Sequence, residues 1–172
     1  MASTRNVVDE FYDNYVSLLK LLEAKREISL QSWAGEFFRR IIVLVAANHL
    51  ESEVKSILRN LVKTKSGEPK LESFLDASME RQYHTYFQWN KRNANAFLGR
   101  FGKSFKEAVE RDVEDNEELE VSIKAFMEIG DLRNTLLHEK LLEVTLEKSV
   151  DDFYQLHNKA LLFIGYLKTK LV

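Results

Sequence analysis

The sequence predicts an all-α protein, an antiparallel helical bundle of four main helices with several short ones. Three observations point there. Proline occurs once and glycine six times in 172 residues, so long stretches run without a residue that breaks a helix. Apolar residues recur at steps of three and four over most of the chain, the period of a helix with one buried face. The chain is 45% hydrophobic and 30% charged, an ordinary globular balance, and a single domain over residues 1–172 is long enough to enclose a core.

The first helix is expected from about Thr4 to Glu27, where Val8, Phe11, Tyr12, Tyr15, Leu18, Leu19 and Leu22 form one stripe. The second runs from about Gln31 to Lys63. Its centre, Ile41 to Ala47, is apolar on every face and so belongs in the middle of the bundle. Leu50, Val54, Ile57, Leu58 and Leu61 then restore a single stripe, and Lys65-Ser66-Gly67-Glu68-Pro69 is the strongest turn signal. Shorter elements follow. Leu71 to Arg81 has a helical pattern; so does Ala94 to Arg100, with Asn93 as its N-cap and Gly102 near its stop; Ser104 to Glu110 makes another short piece. The acidic run Glu110 to Glu120 reads as a solvated loop or helix start. A helix from about Glu118 to Leu142 comes next, then an extended stretch from Glu143 to Leu146. Ser149, with Asp152 three residues later, is a capping-box start for a last helix whose stripe is Phe153, His157, Ala160, Ile164, Leu167 and Leu171.

Composition also excludes functions. Cysteine is absent, which removes disulfides, thiolate metal sites and cysteine nucleophiles together. No His/Asp/Glu cluster has the spacing of a metal site, so neither metal nor cofactor is expected. The longest apolar run, Ile41 to Ala47, is far short of a membrane span, and the first ten residues lack the apolar core of a signal peptide. The expected location is cytoplasmic, without membrane contact. A formal net charge of −2 and a pI near 6.1 do not fit a protein that coats nucleic acid. Any such contact must be local, at a small basic site or a groove between subunits.

Chemistry concentrates at Asp131-Leu132-Arg133-Asn134-Thr135-Leu136-Leu137-His138. An unpaired polar group buried in an apolar helix costs a few kcal/mol, at roughly 2–7, so these residues need a reason. At about 100° per residue, Asp131, Asn134 and His138 share a face; Arg133 stands roughly 140° from His138 with a side chain long enough to bend toward them. Gly130 costs about 1 kcal/mol relative to alanine in a helix and is expected where another backbone approaches closely. Histidine serves as general acid or base near neutral pH. Arginine offers a permanent charge and a planar fork that fits a phosphate, and asparagine orients either partner by hydrogen bonds. The set suits cleavage of RNA by its own 2′-hydroxyl, with no metal needed. One histidine is short of the two roles, base and acid, and a twofold dimer would supply the second copy. The same residues also make sense as plain structure. Arg133 could pair with Asp131 or Glu128, and a histidine is favoured at a helix C-terminus by the dipole. The pattern alone leaves both readings open.

Other residues divide the same way. Glu51 is either a surface carboxylate paired with Lys55 at i,i+4, worth a few tenths of a kcal/mol at about 0.2–0.5, or an accessory group that orients Arg133 or His138; Asp131 is a second accessory candidate. Lys91, Arg92, Arg100, Lys103 and Lys106 are interleaved with Trp89, Asn93, Asn95, Phe97 and Phe101. They read as contacts to single-stranded RNA or as a packed small helix with solvated lysines. Tyr83, His84, Tyr86 and Phe87 are read as core or interface, His49 as structural or solvent-facing, and His157 as a satisfied core histidine.

Arg133-Asn134-Thr135-Leu136-Leu137-His138 resembles the Arg-Asn-x3-His form of the Arg-x4-6-His motif of HEPN domains. Leu44-Val45-Ala46-Ala47-Asn48-His49-Leu50-Glu51 resembles the small-small-x-x-Glu signature on the second helix of the RiboL-PSP-type HEPN branch. The segment from Trp89 to Gly102 resembles that branch's central Asn-rich stretch ending in Phe-Gly. The resemblance runs from about Arg40 to the C-terminus, each piece weak alone and the ordered combination more specific. It implies a HEPN-like bundle that forms a homodimer, with metal-independent endoribonuclease activity at the dimer cleft. By position it implies Arg133 and His138 as the catalytic pair, Asn134 as the supporting polar residue and Glu51 as an accessory one. It further implies a toxin or phage-defence effector acting on translation-related RNA. The alternative is a non-catalytic interaction or nucleotide-binding module paired with an antitoxin protein.

Overall fold

The computed structural model describes residues 5–138 and 143–172. Seven α-helices fill most of them, with no strand among the described residues. They are α1 (Val7–Ala24), α2 (Ile28–Lys65), α3 (Pro69–Gln82), α4 (Asn95–Leu98), α5 (Lys103–Glu114), α6 (Glu117–His138) and α7 (Val150–Leu171). The four long helices expected from the sequence are α1, α2, α6 and α7. The expected helix start at Thr4 and the expected continuation through residues 139–142 lie outside the described residues.

Helix α2 is the axis of the bundle and packs against α1, α3, α6 and α7. Its all-apolar centre explains this: Ile42, Val43 and Ala46 are buried and no residue from Ile41 to Ala47 is exposed. Asn6 starts α1 by accepting from the amides of Val8 and Asp9, while Asp9 accepts from the Asn6 amide. Ser149 and Asp152 make the expected reciprocal cap on α7. Between α1 and α2 the chain turns at Arg26, whose φ of 59° lies in the left-handed region. The Arg26 and Glu27 amides donate back to the carbonyls of Glu23 and Leu22, a Schellman-type stop usually built on glycine.

The acidic run Glu110 to Glu120 holds the expected helix start at Glu117, while the expected loop narrows to Asp115 and Asn116. Helix α5 continues through Glu114 and α6 begins at Glu117. Val109 is buried and Val113 packs on the core, which holds the end of α5 in helical phase. The Asn116 side chain accepts from the Leu119 amide at 3.0 Å, and Glu117, Glu118 and Glu120 occupy the first turn of α6, where the helix dipole favours negative charge.

The described stretch from Glu143 to Glu147 is neither helix nor strand, and its Val144 and Leu146 are buried. Two arginines of α2 hold it. Arg39 donates to the Leu146 carbonyl at 2.9 Å and Arg40 to that of Val144 at 3.0 Å. His157 is fully buried, its Nε2 2.9 Å from Nδ1 of His49 on α2. His49 is thus structural and faces α7. His157 is satisfied on one side only, because its Nδ1 has no hydrogen-bond partner. Burial, then the neighbouring His49, pulls His157 down to about 4 from the usual histidine value. Burial also lowers His49. No helix among the described residues is long and apolar enough to cross a membrane.

Candidate active site

The motif helix α6 meets α2 across a small pocket of about 20 Å³. Its α6 side is Phe126, Ile129, Gly130, Arg133 and Asn134; its α2 side is Ala47, Leu50 and Glu51; Tyr83, His84 and Trp89 close it. The α6 residues recur at steps of three and four, so helical phase alone aims Arg133 and Asn134 at α2.

Arg133 and Asn134 are both half-buried, and an Arg133 Nη donates to Asn134 Oδ1 at 3.0 Å. That bond holds the guanidinium at the pocket mouth with most of its five donors left for a ligand. Glu51 stands in the same pocket and also pairs with Lys55 at 2.6 Å. The expected ion pair with Lys55 is present, and among the described residues Glu51 makes no hydrogen bond to Arg133 or His138. Lys55 in turn sits over the Tyr83 ring, 5.7 Å from its centroid. Burial holds the Tyr83 hydroxyl well above its usual range, Glu51 adds to the shift and Arg133 opposes it. Tyr83 therefore stays a neutral donor beside the arginine.

Gly130 and Trp89 shape the wall. A methyl group on Gly130 would meet Trp89 Cζ3 at 2.0 Å and Cε3 at 2.1 Å. The close approach expected at Gly130 is real, but the visitor is an indole ring, where the sequence reading expected a second backbone. The ring is pinned by its Nε1, which donates to the His84 carbonyl at 2.8 Å, and by Phe87 at a centroid distance of 4.6 Å.

His138 is the last residue of α6, exposed, four residues beyond Asn134 and so about 6 Å further along the axis. It does not line the pocket, and no described residue hydrogen-bonds its ring. Asp131 is also exposed and lines a different depression, with Lys91, Arg92, Lys124 and Lys148. The structure thus brings Arg133, Asn134 and Glu51 together, presents His138 one turn away, and sets Asp131 apart. Of the other basic candidates, Arg100 lies over the Tyr86 ring at 4.6 Å and reaches the Thr85 carbonyl, and Lys103 pairs with Glu107 at 3.5 Å. Neither joins the groups above.

Sequence reasoning placed Tyr83 in core or interface. It is buried as expected, and it also lines the pocket. Its signal was the run of aromatics around it, which does not distinguish a core wall from a site wall. Among the described residues, no three His, Asp or Glu side chains cluster closely enough to hold a metal ion.

A family profile described as RiboL-PSP-HEPN matches residues 9–172. Comparison with curated proteins and with solved structures gives no match.

Proposed function

Because this chain belongs to the RiboL-PSP-HEPN family, whose wider HEPN group is generally ribonucleases, we propose that it is a metal-independent endoribonuclease, acting as a toxin or phage-defence effector through a site shared by two copies. The observation that carries the reading is the division of labour on α6. A half-buried guanidinium is fixed by Asn134, and one turn later an imidazole stands in the open. A group that binds a phosphate gains from being held; a group that moves protons must reach the substrate.

In the reaction, the ring of one His138 takes the proton of the ribose 2′-hydroxyl. The 2′-oxygen bonds to phosphorus, and the bond from phosphorus to the 5′-oxygen breaks. The second His138, protonated, gives its proton to that leaving oxygen. Products are a 2′,3′-cyclic phosphate and a free 5′-hydroxyl. Arg133 stabilises the extra negative charge on the phosphoryl oxygens. Asn134 orients Arg133, and Glu51 steadies the pocket from the α2 side.

With both proton-transfer roles assigned to His138, this reading takes one copy from each of two chains. Apolar surface in the open supports this: Leu137 beside His138 is 53% exposed, and Trp33 and Phe37 on α2 are 64% and 42% exposed and stacked on each other. Exposed apolar patches of this kind mark interaction sites.

Cleavage of RNA is expected to persist in EDTA and to leave cyclic phosphate ends. His138→Ala is expected to lower kcat by roughly 10²–10⁴-fold with little change in melting, since the side chain is exposed. Equal cleavage by wild type and His138→Ala would remove that residue from the mechanism.

A further inference from the structure

Beside the motif pocket lies a second, larger depression, an open groove of about 580 Å³. It is walled by Lys91 and Arg92 from the loop before α4, Lys124 from α6 and Lys148 from the segment before α7, with Glu128 and Asp131 as its carboxylates. Four cations against two carboxylates make it locally basic in a chain whose net charge is −2. Lys91 and Arg92 are exposed and make no ion pair among the described residues. Lys148 pairs with Glu128, and Lys124 with Glu120, each at 2.6 Å. These are partly exposed pairs, worth about 0–1 kcal/mol, so both lysines exchange such partners for a phosphate at little cost. Trp89 lines this groove and the Arg133 pocket alike.

We propose that this groove is the track for the single-stranded RNA flanking the cut, its phosphates held by Lys91, Arg92, Lys124 and Lys148, and the strand passing over Trp89 to reach Arg133. The proposal rests on the ribonuclease reading and adds to it a binding surface outside the motif. The groove's size suits a nucleotide unit, within the roughly 300–1,000 Å³ of small-ligand sites. Lysines and an arginine beside an aromatic ring, here the half-buried Trp89, are the ordinary means of holding a single strand without reading its sequence. Lys91 and Arg92 carry the track; Arg100 and Lys103, engaged elsewhere, do not belong to it.

The test is binding of a short 2′-O-methyl RNA oligonucleotide, which the protein cannot cleave, followed by fluorescence anisotropy over a range of salt. Lys91→Glu with Arg92→Glu is expected to weaken binding at least tenfold. It should also make the slope of log affinity against log salt shallower by about 1.4, two phosphates at about 0.7 each. Both side chains are exposed, so circular dichroism and melting should match wild type. The charge-matched control is Lys63→Glu with Lys65→Glu at the end of α2, which should leave affinity within about twofold. Undiminished binding in the groove variant, or equal loss in the control, overturns the track. Cleavage by wild type and its loss in His138→Ala are read separately and survive that outcome. A wild-type protein that binds no RNA overturns both.

Discussion

At the scale of single residues, the chain uses its histidines in opposite ways. His138 is left in water at a helix end, while His157 is fully enclosed, next to His49. Enclosure favours the neutral ring, and the second imidazole penalises a proton further. Asp9 and Glu53 pull the other way, and Lys168 adds to the lowering at His49. With the folded value near 4 and an unfolded value of about 6.5, the unfolded chain binds the extra proton as pH falls between the two. Stability is therefore complete above about pH 6.5 and declines toward pH 4, by roughly 1.4 kcal/mol per unit. Urea unfolding at pH 7 and pH 5 should differ by about 2 kcal/mol, and His157→Leu should abolish most of that difference. A wild-type stability that stays flat over this interval would show that the pair takes up its proton without cost. His49 and His157 lie 108 residues apart. The helical stripe identified His157 as a core residue, but nothing along the chain announced which side chain it would meet.

At the scale of elements, α6 does two jobs with one face. Steps of three and four put Phe126, Ile129, Gly130, Arg133 and Asn134 toward α2. The bare backbone at Gly130 lets the Trp89 indole lie against the helix. Alanine is a better helix former than glycine by about 1 kcal/mol, so propensity alone predicts that Gly130→Ala stabilises. The indole carbons at 2.0 and 2.1 Å from the added methyl decide the opposite. Overpacking of this kind costs about 1–3 kcal/mol, and Trp89 must swing out of the pocket wall. Gly130→Ala is expected to lower the melting temperature and to change the tryptophan near-ultraviolet circular dichroism. An unchanged spectrum with a raised melting temperature would mean that the ring is not seated there. The glycine was conspicuous in the sequence because it interrupted a strong helix. That its visitor is a side chain rather than a backbone follows from the Tyr83-to-Phe97 aromatic packing, a tertiary arrangement.

At the scale of the whole molecule, the four long helices form a closed bundle, but its chemistry is left at the surface. Arg133 and Asn134 sit in the α2–α6 crease, His138 at the end of α6, and exposed Leu137, Trp33 and Phe37 offer apolar surface. On the proposed mechanism the two imidazoles are two copies of His138, one from each chain of a dimer. Specific activity is therefore expected to fall on dilution through the dimer's dissociation constant, with initial rate rising more steeply than linearly in protein concentration below it. A rate strictly proportional to concentration, measured where sedimentation shows monomers, would assign the whole reaction to one chain.

What the sequence determined by itself is what depends on periodicity and local chemistry. The all-α class, the long central helix with its apolar belt at Ile41 to Ala47, the Ser149–Asp152 cap and the stripe of α7 all follow from interactions within a few residues. So does the presence of Arg133, Asn134 and His138 on consecutive turns of one helix. The acidic run left loop and helix start open because charge marks solvation, and Val109, Val113 and Asn116 settle how far α5 and α6 extend. The tertiary structure alone decided which groups share a pocket. It set Glu51 and Tyr83 beside Arg133, moved Asp131 into a basic groove with Lys91, Arg92, Lys124 and Lys148, and paired His49 with His157. Helical phase fixes the direction in which a side chain leaves its own helix. The neighbour it meets is fixed only when segments far apart in sequence pack together.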